Sequence, residues 1–379
     1  MPGDERLGSS LGRFWRNFED RMRSEKVVSR IGALGFVVMV STRGSKRRLG
    51  SDSTAIRRSG IALALMAALV LLSSCSSGAS LPATGGSSTT SAASSTTSTV
   101  APTSTTLAAV THPHVFVIVM ENLGYSAALS TPSIAALANR WAYASNYYAT
   151  SHPSLPNYLS LIGGSTFGVT SDCVGCFVNA PNLAVELADK GISWSAYMEA
   201  LPSDCYLAPY APGGLYAGKH DPFVYFDAIR NSASLCAQIR PLGELTSQLG
   251  SSGQIPSFVW ITPNLCNDGH NCAPQSAGAW LASMVSSITA SSAWKDNGAL
   301  YVTWDEGNGG DDSGLGASGQ IQSSGGGGHV LTLVIEPRLA PGAVISAPLD
   351  HYSLLKSIEV NFGLAELGSS AQASLATLP

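Results

Sequence analysis

The sequence predicts an α/β fold built on a mostly parallel central sheet with helices on both faces. Three observations carry this: unbroken apolar runs, helical patterns between them, and carboxylates where the runs stop.

Val115–Met120 is the first run, apolar at every position. A strand buried on both faces reads this way, as in a parallel sheet. It stops at Glu121–Asn122. Phe258–Thr262 is the second, followed by Pro263–Asn264 and then Asp268–Gly269–His270. Leu300–Trp304 is the third and stops at Asp305–Glu306. Val330–Ile335 is the fourth, with His329 at its leading end. Helical patterns cover Ser133–Trp141 after a Thr-Pro start and Ala180–Lys190 before a capping Gly191. Two more cover Ala277–Ile288 and Tyr352–Phe362. Strands alternating with helices give an α/β sheet.

In such sheets ligands sit beyond the carboxyl ends of the strands. A single acid there reads as a solvated loop residue or a helix cap. Three sets at matching ends repel one another and raise one another's pKa, and a divalent cation relieves this.

The sheet pattern occupies only 112–379. Ahead of it, Arg57–Arg58 precede the apolar run Ile61–Leu72, which ends in Leu72–Ser–Ser–Cys75. A basic flank, a short apolar core and small residues describe a secretory signal, and the run is too short to span a bilayer as a mature helix. Leu-Ser-Ser-Cys resembles the bacterial lipoprotein box, with Cys75 as the lipidated residue; an ordinary signal peptide is the alternative. Residues 1–38 fit no leader, and Met39 would begin a conventional one. Residues 76–111 are mostly Ser, Thr, Ala and Pro, with no charge and almost no large apolar side chain, and read as a disordered tether. The expected organisation is therefore a leader (1–75), a linker (76–111) and one domain (112–379). The location that follows is outside the cell, at the outer face of the membrane or secreted.

Residues 1–75 hold 13 of the 21 Lys/Arg and 6 of the 25 Asp/Glu. The remainder has 8 basic and 19 acidic residues, a net charge of −11. So acidic a chain does not track a phosphate backbone, which excludes nucleic acid as the expected partner. Six cysteines follow the leader, an even number in an exported chain, and read as three disulfides. The expected pairs are Cys173–Cys176, Cys266–Cys272 and Cys205–Cys236.

Thr150-Ser-His-Pro-Ser-Leu-Pro-Asn-Tyr-Leu159 leads into an apolar helical stretch ending at Gly163–Gly164. Ser154 falls at the helix start, where free N–H groups and the dipole favour an alkoxide or a phosphate. On composition alone the helix-cap reading comes first, and the nucleophile reading second.

The ordered segments Met120–Asn122, His152–Tyr158, Thr262–His270, Thr303–Gly307 and Asp350–Ser353 resemble the phosphoesterase family. That family holds acid phosphatases and phospholipase C-type enzymes within the alkaline phosphatase superfamily. The resemblance is nearest to secreted mycobacterial and actinobacterial acid phosphatases. It implies an alkaline phosphatase-like sandwich and a metal-dependent phosphoric ester hydrolase. Phosphomonoesters are the first substrate class and phosphodiesters on lipid headgroups the alternative; a surface lipoprotein without turnover is a third reading.

The resemblance also assigns roles. Glu121, Asn122, Asp305 and Glu306 match metal ligands, and Ser154 the nucleophile that also touches the metal. Asp268, His270 and His329 fall near a second site, which holds either a metal or the substrate phosphate. Lys219–His220 resembles a phosphate-contacting pair, His351 matches a family histidine, and His270 or His220 protonates the leaving group. An all-oxygen first site favours Ca²⁺, Mg²⁺ or Mn²⁺; a second site with histidines favours Zn²⁺. The chain departs from the family at Leu123–Gly124, where Arg/Lys-Ser is common, and at Gly269, where methionine is common. His112 and His114 precede the first strand and stand outside this set. Ten glycines between Gly307 and Gly328, with Asp311–Asp312 among them, read as a mobile segment. It serves as a lid, a calcium loop or plain linker. A monomer is expected.

Overall fold

A computed structural model describes residues 111–251, 254–372 and 374–379. The expected leader with Cys75, and the expected linker up to residue 110, lie outside the described residues.

The sheet has nine strands. Eight follow the order β10 (Val344–Ile345), β2 (Ala142–Tyr148), β9 (His329–Ile335), β6 (Ala299–Trp304), β1 (Val115–Met120), β5 (Phe258–Thr262), β3 (Trp194–Met198), β4 (Ile239–Pro241). β11 (Leu349–Asp350) also pairs with β2. β9 runs antiparallel to β2 and β6; the other pairings are parallel. All residues of β1, β5 and β6 are buried. Because successive side chains point to opposite faces, both faces of the sheet are covered.

The four apolar runs are four strands of this sheet. The four helical patterns appear as Pro132–Arg140, Leu183–Asp189, Pro274–Ala290 and His351–Phe362. Asn182 starts the second by accepting from the Val185 N–H, so that helix begins three residues later than its apolar pattern. The helix Pro132–Arg140 packs on Pro274–Ala290, and His351–Phe362 on Ser154–Gly163.

β1, β5 and β6 run in one direction, so Glu121, Asp268 and Asp305–Glu306 emerge at one edge. β9 runs the other way, which brings its first residue, His329, to that same edge. His112 and His114 stand at the opposite end, before β1. The His112 ring contacts the Asn297 carbonyl, and the His114 ring the Pro256 carbonyl.

Disulfides join Cys173–Cys176, Cys205–Cys236 and Cys266–Cys272. Among the described residues no helix is long and apolar enough to cross a membrane.

Candidate active site

The segment before Ser154 is shaped by Asn157. Its side-chain oxygen accepts from the N–H groups of Thr150 (3.0 Å) and Ser151 (2.9 Å), and its amide donates to the Ser151 carbonyl (2.7 Å). One buried side chain thereby ties the turn back onto the helix Ser154–Gly163, which begins at Ser154. The helix ends at Gly164 in the left-handed region (φ 69°).

Residues 154 and 158 share one helix face, and both reach the same carboxylate. Ser154 Oγ donates to Glu121 Oε2 at 3.3 Å, and Tyr158 donates its hydroxyl to Glu121 Oε1. Ser154 Oγ also lies 3.4 Å from Glu306 Oε1. The serine hydroxyl thus sits between acids delivered by β1 and β6.

The helix start is less open than its position alone suggests. The Leu155 N–H is taken by Asp172 Oδ1 at 3.0 Å, and Pro156 has no N–H. Free donors for an anion are correspondingly fewer than a bare helix start offers.

Around the serine, charge is crowded and buried. Glu121 and Asp305 are 1 % and 0 % exposed. Burial, with the charges of Asp305 and Asp268 behind it, pushes the Glu121 carboxyl well up. Burial and the Glu306 charge do the same to Asp305. Burial raises Asp268 to about 7. Asn122 takes a left-handed turn (φ 37°) directly after β1 and donates its N–H to Asp305 Oδ1 at 3.1 Å. The side chain of Asn122 is exposed.

His220 stacks on Tyr158, with ring centroids 5.3 Å apart. Its Nε2 is 3.2 Å from Glu121 Oε1, and its Nδ1 is 3.6 Å from Asp268 Oδ2. Those approaches are not aligned as hydrogen bonds: His220 Nε2, Asp268 Oδ2 and Asp305 Oδ2 are buried without a hydrogen-bond partner. Burial, then the charges of Lys219 and His270, hold His220 well below its ordinary value. Ligand atoms of Glu121, His220 and His270 lie within 4.8 Å of one another.

These observations fit a cation. Buried acids that repel, and buried lone pairs with nothing to accept from, are what a metal resolves. Glu121, Asp305 and Glu306 offer oxygen alone; Glu121, Asp268, His220 and His270 offer oxygen and nitrogen. Glu121 is common to both.

Gly269 takes φ 105°, which turns the chain sharply between Asp268 and His270. The methionine common there in the family would be strained at this φ. Gly124 donates its N–H to Asn308 Oδ1 at 2.6 Å, and a Cβ on Gly124 would sit at that same distance from that oxygen. Asn308, two residues after Glu306, thus packs directly on Gly124.

Two expected substrate-binding histidines are turned to other partners. His351 is fully buried; its Nε2 contacts the Asp305 carbonyl at 2.6 Å and its Nδ1 the Tyr147 hydroxyl at 3.2 Å. It holds the end of β6 from beneath. His329 lies between the rings of Tyr125 (4.3 Å) and Tyr148 (5.0 Å), with Nε2 on the Ser145 carbonyl.

The glycine-rich segment is folded rather than loose. Gly314–Leu315 (β7) and Ile321–Gln322 (β8) form a small ladder, and Gly307, Gly327 and Ala149 are joined through their backbones. The Asp311 carboxylate accepts from the Ser313 N–H and hydroxyl and from the His329 N–H, which ties the segment to the start of β9. Its carbonyl faces His152 Nε2 at 3.0 Å. His152 Nδ1 meets Glu306 Oε2, and this bond above all raises His152 to about 9.

His152, Tyr158 and Asp172 belong to the site without having been singled out for it. His152 and Tyr158 stand in the Ser154 motif itself. Asp172 carries no motif signal.

Fold and site define an α/β protein with a serine hydroxyl set among buried carboxylates at the carboxyl edge of its sheet. The phosphoesterase family model matches residues 98–365, and the chain belongs to that family. It is 30% identical over 261 residues to a probable acid phosphatase of Kluyveromyces lactis, covering 67% of this chain and 59% of that one. It is 32% identical over 272 residues to a phosphatidylinositol-3-phosphatase of Mycobacterium tuberculosis, covering 70% and 82%. The chain thus spans under two thirds of the fungal relative's length. A Vibrio parahaemolyticus protein of the alkaline phosphatase superfamily overlays 68% of each chain with TM-score 0.46 and 13% identity.

Proposed function

We propose that this protein hydrolyses phosphate monoesters through a phosphoserine on Ser154. The observation that carries the reading is the Ser154 hydroxyl lying 3.3 Å and 3.4 Å from two carboxylates that approach from different strands. Membership of the phosphoesterase family and relatives named as phosphatases support it.

A divalent cation would be held by Glu121, Asn122, Asp305 and Glu306. When bound it neutralises the acids, lowers the serine pKa and draws charge from phosphate oxygens. The protein's own groups do the rest. Ser154 Oγ attacks phosphorus in line, its proton passing to the carboxylate it already faces, and the ester P–O bond breaks. His270, exposed beside the buried His220, protonates the departing alcohol oxygen. Lys219 balances the phosphate charge. Water then cleaves the phosphoserine.

The reading includes export as a monomer, tethered through Cys75, with no nucleic-acid partner. Three disulfides support export. The relative named as a phosphatidylinositol-3-phosphatase favours a phosphorylated lipid headgroup as one substrate to test.

The test is turnover of p-nitrophenyl phosphate, bis-p-nitrophenyl phosphate and phosphatidylinositol 3-phosphate, after EDTA and after each metal is restored. Monoester turnover lost to EDTA and regained with one metal is expected. Preference for the diester would replace the reading with the diesterase one. Inactivity with every metal would leave a non-catalytic surface protein.

A further inference from the structure

Asp172 lies outside every segment that carries the family resemblance, yet its carboxylate joins two parts of the site. Oδ1 accepts the Leu155 N–H at 3.0 Å, one residue beyond the nucleophile. Oδ2 takes the Lys219 ammonium at 2.8 Å. The same ammonium is 3.5 Å from His270 Nε2. Asp172 is itself anchored: the Cys173–Cys176 disulfide closes the loop directly after it, and the Tyr225 hydroxyl donates to the Cys173 carbonyl at 3.0 Å.

A lysine on a surface ion pair is ordinarily free to leave it, because neither partner is fixed. This pair differs. Its acid is pinned by a backbone N–H, and the two side chains are only 19 % and 28 % exposed. Without the pair, the four-carbon stem of Lys219 has many rotamers, and the buried carboxyl groups of Glu121, Asp268 and Asp305 lie within its electrostatic reach. Those acids and Lys219 already feel one another's charge.

We propose that Asp172 is a positioning residue: it holds the Lys219 ammonium at the mouth of the site, aimed at the phosphate of the substrate, and keeps it off the carboxylates beneath. This rests on the phosphatase reading and deepens it. Phosphate then meets a cation that is already ordered, so binding does not have to order it. Asp172 acts through Lys219 and touches no reacting atom.

The test compares Asp172→Asn, Lys219→Met and the double variant in the full-length protein. Asparagine keeps a carbonyl oxygen for the Leu155 N–H and loses the charge that holds Lys219. The readouts are KM for p-nitrophenyl phosphate, Ki for inorganic phosphate, and melting temperature. For Asp172→Asn, KM and Ki are expected to rise together by about ten-fold, while kcat falls much less. Lys219→Met should match it, and the double variant should be no worse than Lys219→Met alone, as for two groups acting in one path.

A Ki within about two-fold of the parent would overturn the proposal. So would effects that multiply in the double variant, or lost kcat and melting temperature at unchanged Ki, the mark of a merely structural acid. Calorimetric titration of inorganic phosphate into Ser154→Ala protein, with and without Asp172→Asn, needs no turnover. A parent protein that never hydrolyses phosphate esters would therefore sink the phosphatase reading, while the titration still decides Asp172: about ten-fold weaker binding upholds it and equal affinity ends it.

Discussion

At the scale of single residues, burial decides what each acid does. Glu121 accepts from Ser154 and Tyr158, Asp305 accepts from the Asn122 N–H, and both carboxyls are buried. Glu359, away from the site, shows the same physics in isolation. It accepts from the Leu367 N–H (2.9 Å) and the Ser370 hydroxyl (2.6 Å). Burial still outweighs those bonds and raises it from 4.5 to about 7. The native state therefore keeps this proton at pH values where the unfolded chain has lost it. Stability from this group is present below about pH 4.5 and falls as pH rises towards 7, by at most about 1.4 kcal/mol per unit. Glu359→Gln should flatten that slope in melting temperatures taken from pH 4.5 to 7.5. An unchanged slope would mean the carboxyl is ionised throughout.

At the scale of elements, legibility follows from whether a segment's partners are its neighbours. β1, β5, β6 and β9 were readable because a strand buried on both faces has to be apolar throughout. β2, Ala-Tyr-Ala-Ser-Asn-Tyr-Tyr, was not: its polar residues face other parts, Asn146 donating to the Ser346 carbonyl and the Ser145 hydroxyl to the Ile345 carbonyl. β3 is short and follows its helix closely, which hides it among apolar residues. The site divides in the same way. Acids at strand ends announce themselves, whereas Asp172 acquires meaning only from Leu155 and Lys219, 17 and 47 residues away. His329 and His351 were singled out by the family resemblance, and what the fold adds is that each ring meets a backbone carbonyl, His329 that of Ser145 and His351 that of Asp305. Helix ends carry a similar specificity. Gly164 is left-handed, and a Cβ there would lie 2.0 Å from the Leu367 carbonyl oxygen. Gly164→Ala should cost about 2–4 kcal/mol in urea unfolding. Gly175→Ala, which meets nothing within 4 Å, should cost under about 0.5 kcal/mol. Equal losses would show that the close approach at Gly164 is not a constraint.

At the scale of the whole molecule, one sheet direction does most of the organising. Parallel strands send Glu121, Asp268 and Asp305–Glu306 to a single edge, and the helix carrying Ser154 is laid against that edge. Mutual repulsion among these acids works against folding, and the proposed cation would relieve it. Residues 76–379 carry a net charge of −11, and one of their eight basic residues, Lys219, is paired with Asp172.

The account turns on Ser154 as the group that takes up phosphate. Rapid acid quenching of the metal-loaded protein during turnover of a labelled phosphate monoester, followed by peptide mapping, reads this directly. Label is expected on the peptide carrying Ser154, with Ser154→Ala unlabelled and its turnover down by at least about 10³-fold. Label on another residue, or turnover by Ser154→Ala close to that of the parent, would contradict it.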